Sequence, residues 1–273
     1  MHESGRIDKK ALKRILSAIH DANLLYDFKK HTVKAVTTAA MRMAENSAQA
    51  LRQIKEEGGL EFEIIDADQE AAFTLKAVDH RLKRLALEGE SYVLVDIGGG
   101  STEVIFVYGE VVQSQSFPLG IVGVAQQCGS ADEIHALLKQ LSVPVGSFIE
   151  TCYRRYGKPQ SFVYTAGTPT TIAAFLQGMT YKTYDASKIN GYRLSRAGCR
   201  YALEKLMAMP EGKRAEYVGV GRETLIIAGI VIVQMFYGLL GFDEAVVIDD
   251  GVREGVAIDY CEKLEGAASS KHY

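Results

Sequence analysis

Cysteine is scarce in this chain of 273 residues: Cys128, Cys152, Cys199 and Cys261 are scattered, with no C-x-x-C pair and no metal-ligand spacing. Thiols used in this way are expected to be reduced and partly buried, as in a cytosolic protein. His2, His20, His31, His80, His135 and His272 form neither H-x-x-x-H nor H-E-x-x-H, so a zinc site is not expected. The nucleophile elbow G-x-S-x-G and the phosphate loop G-x-x-x-x-G-K-[ST] are both absent. An excess of basic charge is missing too: the net charge is −3 and the pI about 6.1. No long-range field favours nucleic acid or an acidic membrane. The first ten residues, MHESGRIDKK, lack the apolar core of a signal peptide, so the expected location is the cytoplasm. Neither a low-complexity linker nor a fixed-period repeat breaks the chain.

What is present is an ordinary globular composition, 47% hydrophobic and 24% charged, with length for one large domain or two lobes. Residues 225–242, LIIAGIVIVQMFYGLLGF, carry no charge and approach the length of a membrane span. Gln234 and three glycines interrupt the run, and charged pairs flank it, so a fully buried helix is the expectation. Apolar periodicity predicts helices over 9–28, 41–57 and 69–87, with strands at 32–37 and 62–65 between them. Leu24 and Leu25 are read as extending the apolar face of the first helix. This alternation argues for a parallel α/β lobe, although two strands make a thin sheet. An antiparallel meander follows at 92–95, 103–108 and 111–117. Helices are predicted at 131–141, 145–156, 170–175, 195–207 and 252–265, and strands at 161–165 and 244–248.

The stretch VLVDIGGGSTEVIFV, 93–107, is the most specific feature. Glycine adopts left-handed backbone and brings no side chain. Three in succession, Gly98, Gly99 and Gly100, let backbone N–H groups converge as an anion nest. Ser101 and Thr102 add hydroxyls, and Asp96 at the strand end suits a Mg²⁺ ligand. Phosphate with Mg²⁺ is the natural occupant. Two further turns repeat the idea. YTAGTPTTIAA, 164–174, opens a helix at Thr170-Thr171. VIDDGVREGVA, 247–257, ends a strand in Asp249-Asp250 before Gly251. Together they suggest a cleft between lobes. Arg42, in the first turns of a helix, could grip a phosphate bidentately or be a solvated charge. Glu70, just inside a helix, reads first as a partner of the helix dipole.

The segments VLVDIGGGSTEVIF, AVTTAAMRMAEN, IIDADQEAAF, FPLGIVGV, TAGTPTTIAA, INGYRLS and VVIDDGVREGVAIDY resemble the exopolyphosphatase / guanosine pentaphosphate phosphohydrolase family, in the family's order, over about residues 5–265. The resemblance implies an α/β fold of two ribonuclease-H-like lobes, as in the actin, sugar kinase and heat-shock ATPase superfold. Lobe I would be residues 1–88, N-terminally incomplete and completed by the helix at 252–265, and lobe II residues 89–251. It also implies a Mg²⁺-dependent hydrolase acting on polyphosphate or on guanosine penta/tetraphosphate, with a homodimer as the expected assembly. In the roles carried over, Glu70 is the catalytic base. Asp96 and Glu103 are at the metal. Arg42, Gly98, Gly99, Gly100, Ser101 and Thr102 bind substrate.

Three departures from the family pattern accompany the resemblance. A first phosphate loop of the type Asp-(Ile/Leu)-Gly-(Ser/Thr)-Asn-Ser has no counterpart near the start. Gly123 and Asn190 stand where relatives often carry Arg and His. No C-terminal helical domain follows residue 265. A non-catalytic phosphate binder, or an ATPase or kinase of the same superfold, are the alternatives that this sequence leaves open.

Overall fold

A computed structural model of the chain describes residues 5–269. Two compact units divide at Glu70 and Ala71.

The small unit runs α1 (Lys9–Tyr26), β1 (Ala35–Thr37), α2 (Ala39–Arg42), α3 (Ser47–Gly58), β2 (Phe62–Ile64) and the first turn of α4 (Ala67–Arg84). Asp8 caps α1 by accepting from the Ala11 N–H at 2.7 Å. One stripe of α1, Leu12 and Ile19, packs on Ala50 and Ile54 of α3. β1 and β2 form a two-stranded parallel ladder. The helix expected at 41–57 is two pieces. Asn46 explains the break: its side chain accepts from Ile7 N–H at 2.8 Å and donates to Ile7 O at 3.0 Å, so it clips a neighbouring segment at the start of α3. Leu24 and Leu25 do not extend the buried stripe of α1; they are 73% and 77% exposed.

In the large unit, α4 continues from Ala71 into β3 (Ser91–Ile97), β4 (Thr102–Tyr108) and β5 (Val111–Phe117). Then come α5 (Ile121–Gln127), α6 (Ala131–Tyr156), β6 (Ser161–Thr165), α7 (Gly167–Leu176), α8 (Ala186–Ile189) and β7 (Tyr192–Ser195). The chain finishes with α9 (Arg196–Ala208), α10 (Glu211–Val218), α11 (Leu225–Leu240), β8 (Glu244–Val247) and α12 (Val252–Ser269). The sheet order is β5-β4-β3-β6-β8-β7. β3, β6 and β8 are parallel, and β4 and β7 run antiparallel to their neighbours. Val93, Val95 and Ile97 face one core, under the α6, α7, α9 and α11 layer. Tyr92 and Leu94, alternating with them, face a second core built with Val78 and Leu82 of α4.

The charge-free run is α11, buried on nearly every side. Among the described residues no helix is long and apolar enough to cross a membrane. α12 lies against α4 so closely that a Cβ on Gly255 would sit 1.9 Å from Phe73 O. Only glycine permits that approach.

Candidate functional site

Three turns gather at one edge of the large unit, because β3, β6 and β8 are parallel and end there. In open α/β sheets this carboxyl edge is where ligands bind.

The first turn is Gly98–Ser101. Its glycines are not there for left-handed backbone; none of them has a positive φ in that region. At Gly98, and at Gly120 beneath the loop, space is the reason. A Cβ on Gly98 would stand 3.0 Å from Ser101 O, and one on Gly120 would stand 2.3 Å from Gly99 O. Gly120, in FPLGIVGV, is thus the floor of the loop. From there α5 takes hold of it: Ile121 N–H donates to Gly98 O at 3.1 Å and Val122 N–H to Gly99 O at 2.9 Å. A trans peptide points its N–H opposite to its C=O. With both carbonyls fixed on α5, the N–H groups of Gly99 and Gly100 are turned to the opposite side. Both residues are exposed, and neither N–H donates to another described residue. Two aligned, unspent donors beside the half-buried Ser101 form a cradle for an anion.

Next to the cradle a polar row crosses the sheet. Ser116 on β5 pairs with Glu103 on β4, Glu103 with Asp96 on β3, and Asp96 with Thr165 on β6. Direct partners project to the same face. Ser116 Oγ donates to Glu103 Oε1 at 2.7 Å. Thr74 Oγ1, from α4, donates to Asp96 Oδ2 at 3.1 Å. Asp96 and Glu103 are therefore like charges directly opposite each other, and Glu103 is only 4% exposed. Such a pair is unfavourable alone and is relieved by a cation. Among the described residues no cluster of three or more acidic, histidine or cysteine side chains is placed for a metal. A donor set of two carboxylates suits Mg²⁺, which keeps waters and takes its remaining oxygens from phosphate.

Thr102 does not belong to the cradle. It is fully buried, and its hydroxyl donates to Leu119 O. Strand alternation explains this, since Thr102 is paired with Phe117 on the opposite face from Glu103.

At the second turn, Ala166 has φ 74° and ψ 179°, a region that only glycine enters freely. Thr170 and Thr171 hydroxyls donate back to Ala166 O and Gly167 O, and both side chains are buried. The Arg222 guanidinium crowds the helix start; a Cβ on Gly167 would be 2.8 Å from it. At the third turn, Arg81 donates to both oxygens of Asp250, at 2.7 and 3.1 Å. Asp249 accepts from the Tyr184 hydroxyl, and burial with this bond pushes the phenol well above its ordinary range. Asn190 Oδ1 accepts the Asp249 N–H at 2.8 Å, which gives the position a structural duty. A Cβ on Gly123 would meet nothing within 4 Å.

In the small unit, Arg42 Nη1 donates to Ile65 O at 2.7 Å and lies 3.6 Å from Glu70 Oε2. Both side chains are more buried than surface charges usually are, at 29% and 14% exposure. The two residues assigned to substrate and to base therefore stand together.

A profile of the Ppx/GppA phosphatase family matches residues 1–264. The chain belongs to that family. Its relatives include exopolyphosphatase 2 of Mycobacterium tuberculosis, 28% identical over 272 residues, covering 93% of this chain and 83% of that one. Exopolyphosphatase 1 of Mycobacterium bovis is 26% identical over 282 residues, covering 97% and 77%. Among solved structures, the Aquifex aeolicus Ppx/GppA family member superposes with a TM-score of 0.73 at 28% identity, covering 96% of this chain and 84% of that one. An exopolyphosphatase from Cytophaga hutchinsonii gives 0.81 at 22% identity, covering 95% and 84%, and speaks for the fold. The fold is the expected α/β one, shared with these Ppx/GppA and exopolyphosphatase structures.

Proposed function

We propose that the chain hydrolyses terminal phosphoanhydride bonds of inorganic polyphosphate or of pppGpp. One observation carries this reading: the two N–H groups of Gly99 and Gly100, held outward by the anchoring of their own peptide carbonyls on α5. Among the described residues neither donates to an acceptor, and they stand beside the directly opposed carboxylates of Asp96 and Glu103.

In this reading the cradle and the Ser101 hydroxyl bind oxygens of the terminal phosphoryl group and take up the charge that grows on them. Asp96 and Glu103 hold Mg²⁺, which supplies charge neutralisation at phosphate oxygens when bound. Thr74 and Ser116 orient the two carboxylates. Glu70, by the family resemblance, takes a proton from the attacking water as the new O–P bond forms and the anhydride P–O bond breaks. The shortened phosphate chain, or ppGpp, departs with the bond's electron pair. Arg42 is the arginine for a substrate phosphate. Positioning and electrostatics suffice for such a transfer, and the site needs no covalent nucleophile.

The test is phosphate release from polyphosphate and from pppGpp with Mg²⁺. Release that depends on Glu70 and on the cradle supports the reading. Unchanged release by Glu70→Gln removes the assigned base. Binding without any release makes the chain a phosphate binder.

A further inference from the structure

The apolar run of α11 is interrupted by Gln234 and Gly238, and neither is accounted for by the site above. Gln234 Nε2 is buried and has no hydrogen-bond partner among the described residues. A Cβ on Gly238 would meet nothing within 4 Å. A helix-interior glycine with open space above it leaves a gap where other residues would put a side chain.

That gap belongs to a groove of about 350 Å³ on the outer side of the helical layer of the large unit. Gln234 and Gly238 lie four apart on one stripe of α11, and His135 and Lys139 lie four apart on the facing stripe of α6. Arg196, the first residue of α9, closes the lining. Apolar side chains of α6 and α11 make the floor. The lining holds no carboxylate, and none of Lys139, Arg196 and His135 is in an ion pair among the described residues. Its cationic rim and its orphan amide all offer donors, and an apolar floor strengthens each charge by lowering the local dielectric.

We propose that this groove binds a condensed phosphate chain, at a site separate from the Gly98–Ser101 cradle. Phosphate is the anion because Arg196 presents a planar fork and Lys139 a point charge, a combination that matches successive tetrahedral phosphates. A bare chain fits better than a nucleotide, since no Phe, Tyr or Trp lines the groove to stack a base. The site would hold the body of a long substrate away from the reacting end. The proposal goes beyond the hydrolytic reading and stands if that reading fails, because it is read by binding alone.

The experiment is calorimetric titration of the full chain with tripolyphosphate, without added metal. The Lys139→Glu/Arg196→Glu double variant should lose at least about tenfold in affinity for one class of sites. Gly238→Leu, which fills the groove without touching a charge, should lose the same class. Ser101→Ala should keep it. Circular dichroism melts show whether each variant is folded, and Lys139→Arg should retain binding. Wild-type affinity in the double variant overturns the proposal. So does wild-type affinity in a folded Gly238→Leu protein, because the anion would then lie elsewhere. Equal competition by sulfate would reduce the groove to a general anion site and overturn the phosphate assignment. GTP binding tenfold tighter than tripolyphosphate would overturn the bare chain.

Discussion

The turn after β3 and the turn after β8 are spelled alike: an apolar strand, aspartate, then glycine, at the same edge of one sheet. Their surroundings differ. Asp250 is gripped at both oxygens by Arg81, and its own carbonyl accepts from Thr165 Oγ1 at 2.8 Å. Asp96 receives a neutral hydroxyl from Thr74 and faces a second carboxylate, Glu103. An aspartate neutralised by a guanidinium is a clamp. An aspartate set against another acid is, in the proposed reading, a place for a cation. The spelling alone does not separate these; the charge of the neighbours does.

Substitutions can break this comparison. The largest effect should come from Asp96→Asn, which leaves the shape and removes the charge. Turnover with Mg²⁺ should fall by about 10²–10³-fold, with little change in melting temperature. Gly120→Ala comes next, because its Cβ would meet the Gly99 carbonyl. It should cost about 1–3 kcal/mol, seen as a lower melting temperature, and phosphate binding should weaken with it. Asp250→Ala should behave in the opposite manner to Asp96→Asn. It strands the Arg81 guanidinium and costs about 3 kcal/mol, less whatever solvent reaching Arg81 recovers. The folded fraction should retain its turnover. Equal losses of turnover in the Asp96 and Asp250 variants would erase the distinction between them. A subtler pair is Ser101→Ala and Thr102→Val. The former should raise KM, whereas the latter should cost about 1 kcal/mol of stability and leave KM alone. Smallest of all is a chemical contrast. Burial pushes the Cys199 thiol up to about 12, so it should resist alkylation at neutral pH in the native state while the exposed Cys261 reacts.

The glycine loop, the buried helix and most strands of the large sheet were legible in the sequence because period and composition act locally. Other features depend on partners distant in the chain. Left-handed freedom was expected of Gly98, Gly99 and Gly100, and none of them has a positive φ; the tight approaches found are a Gly98 Cβ against Ser101 O and a Gly120 Cβ against the backbone of Gly99 and Gly100. Thr102 was placed with the ligand because it follows Ser101, yet strand alternation turns it inward. Two helices were expected at 131–141 and 145–156, but a single α6 runs through Pro144. The ring stands on the exposed side of the helix, where the carbonyl left without a donor can reach solvent. β7 was missed since four residues at a sheet edge carry almost no periodic signal. Arg42 and Glu70 were each nominated, but only the fold brings the two to 3.6 Å.

The floor of the cradle has a consequence for how this chain can vary. The space that Gly120 leaves empty is filled by the backbone of Gly99 and Gly100, one hairpin away in the sequence. Neither segment can drift without the other. A side chain admitted on one would have to be matched by withdrawal of the other, and that withdrawal would release the carbonyls and let the donors turn away. The two segments should therefore be inherited as a single unit. A chimera that takes its loop from one relative and its α5 from another should keep function only when the glycine floor travels with the loop.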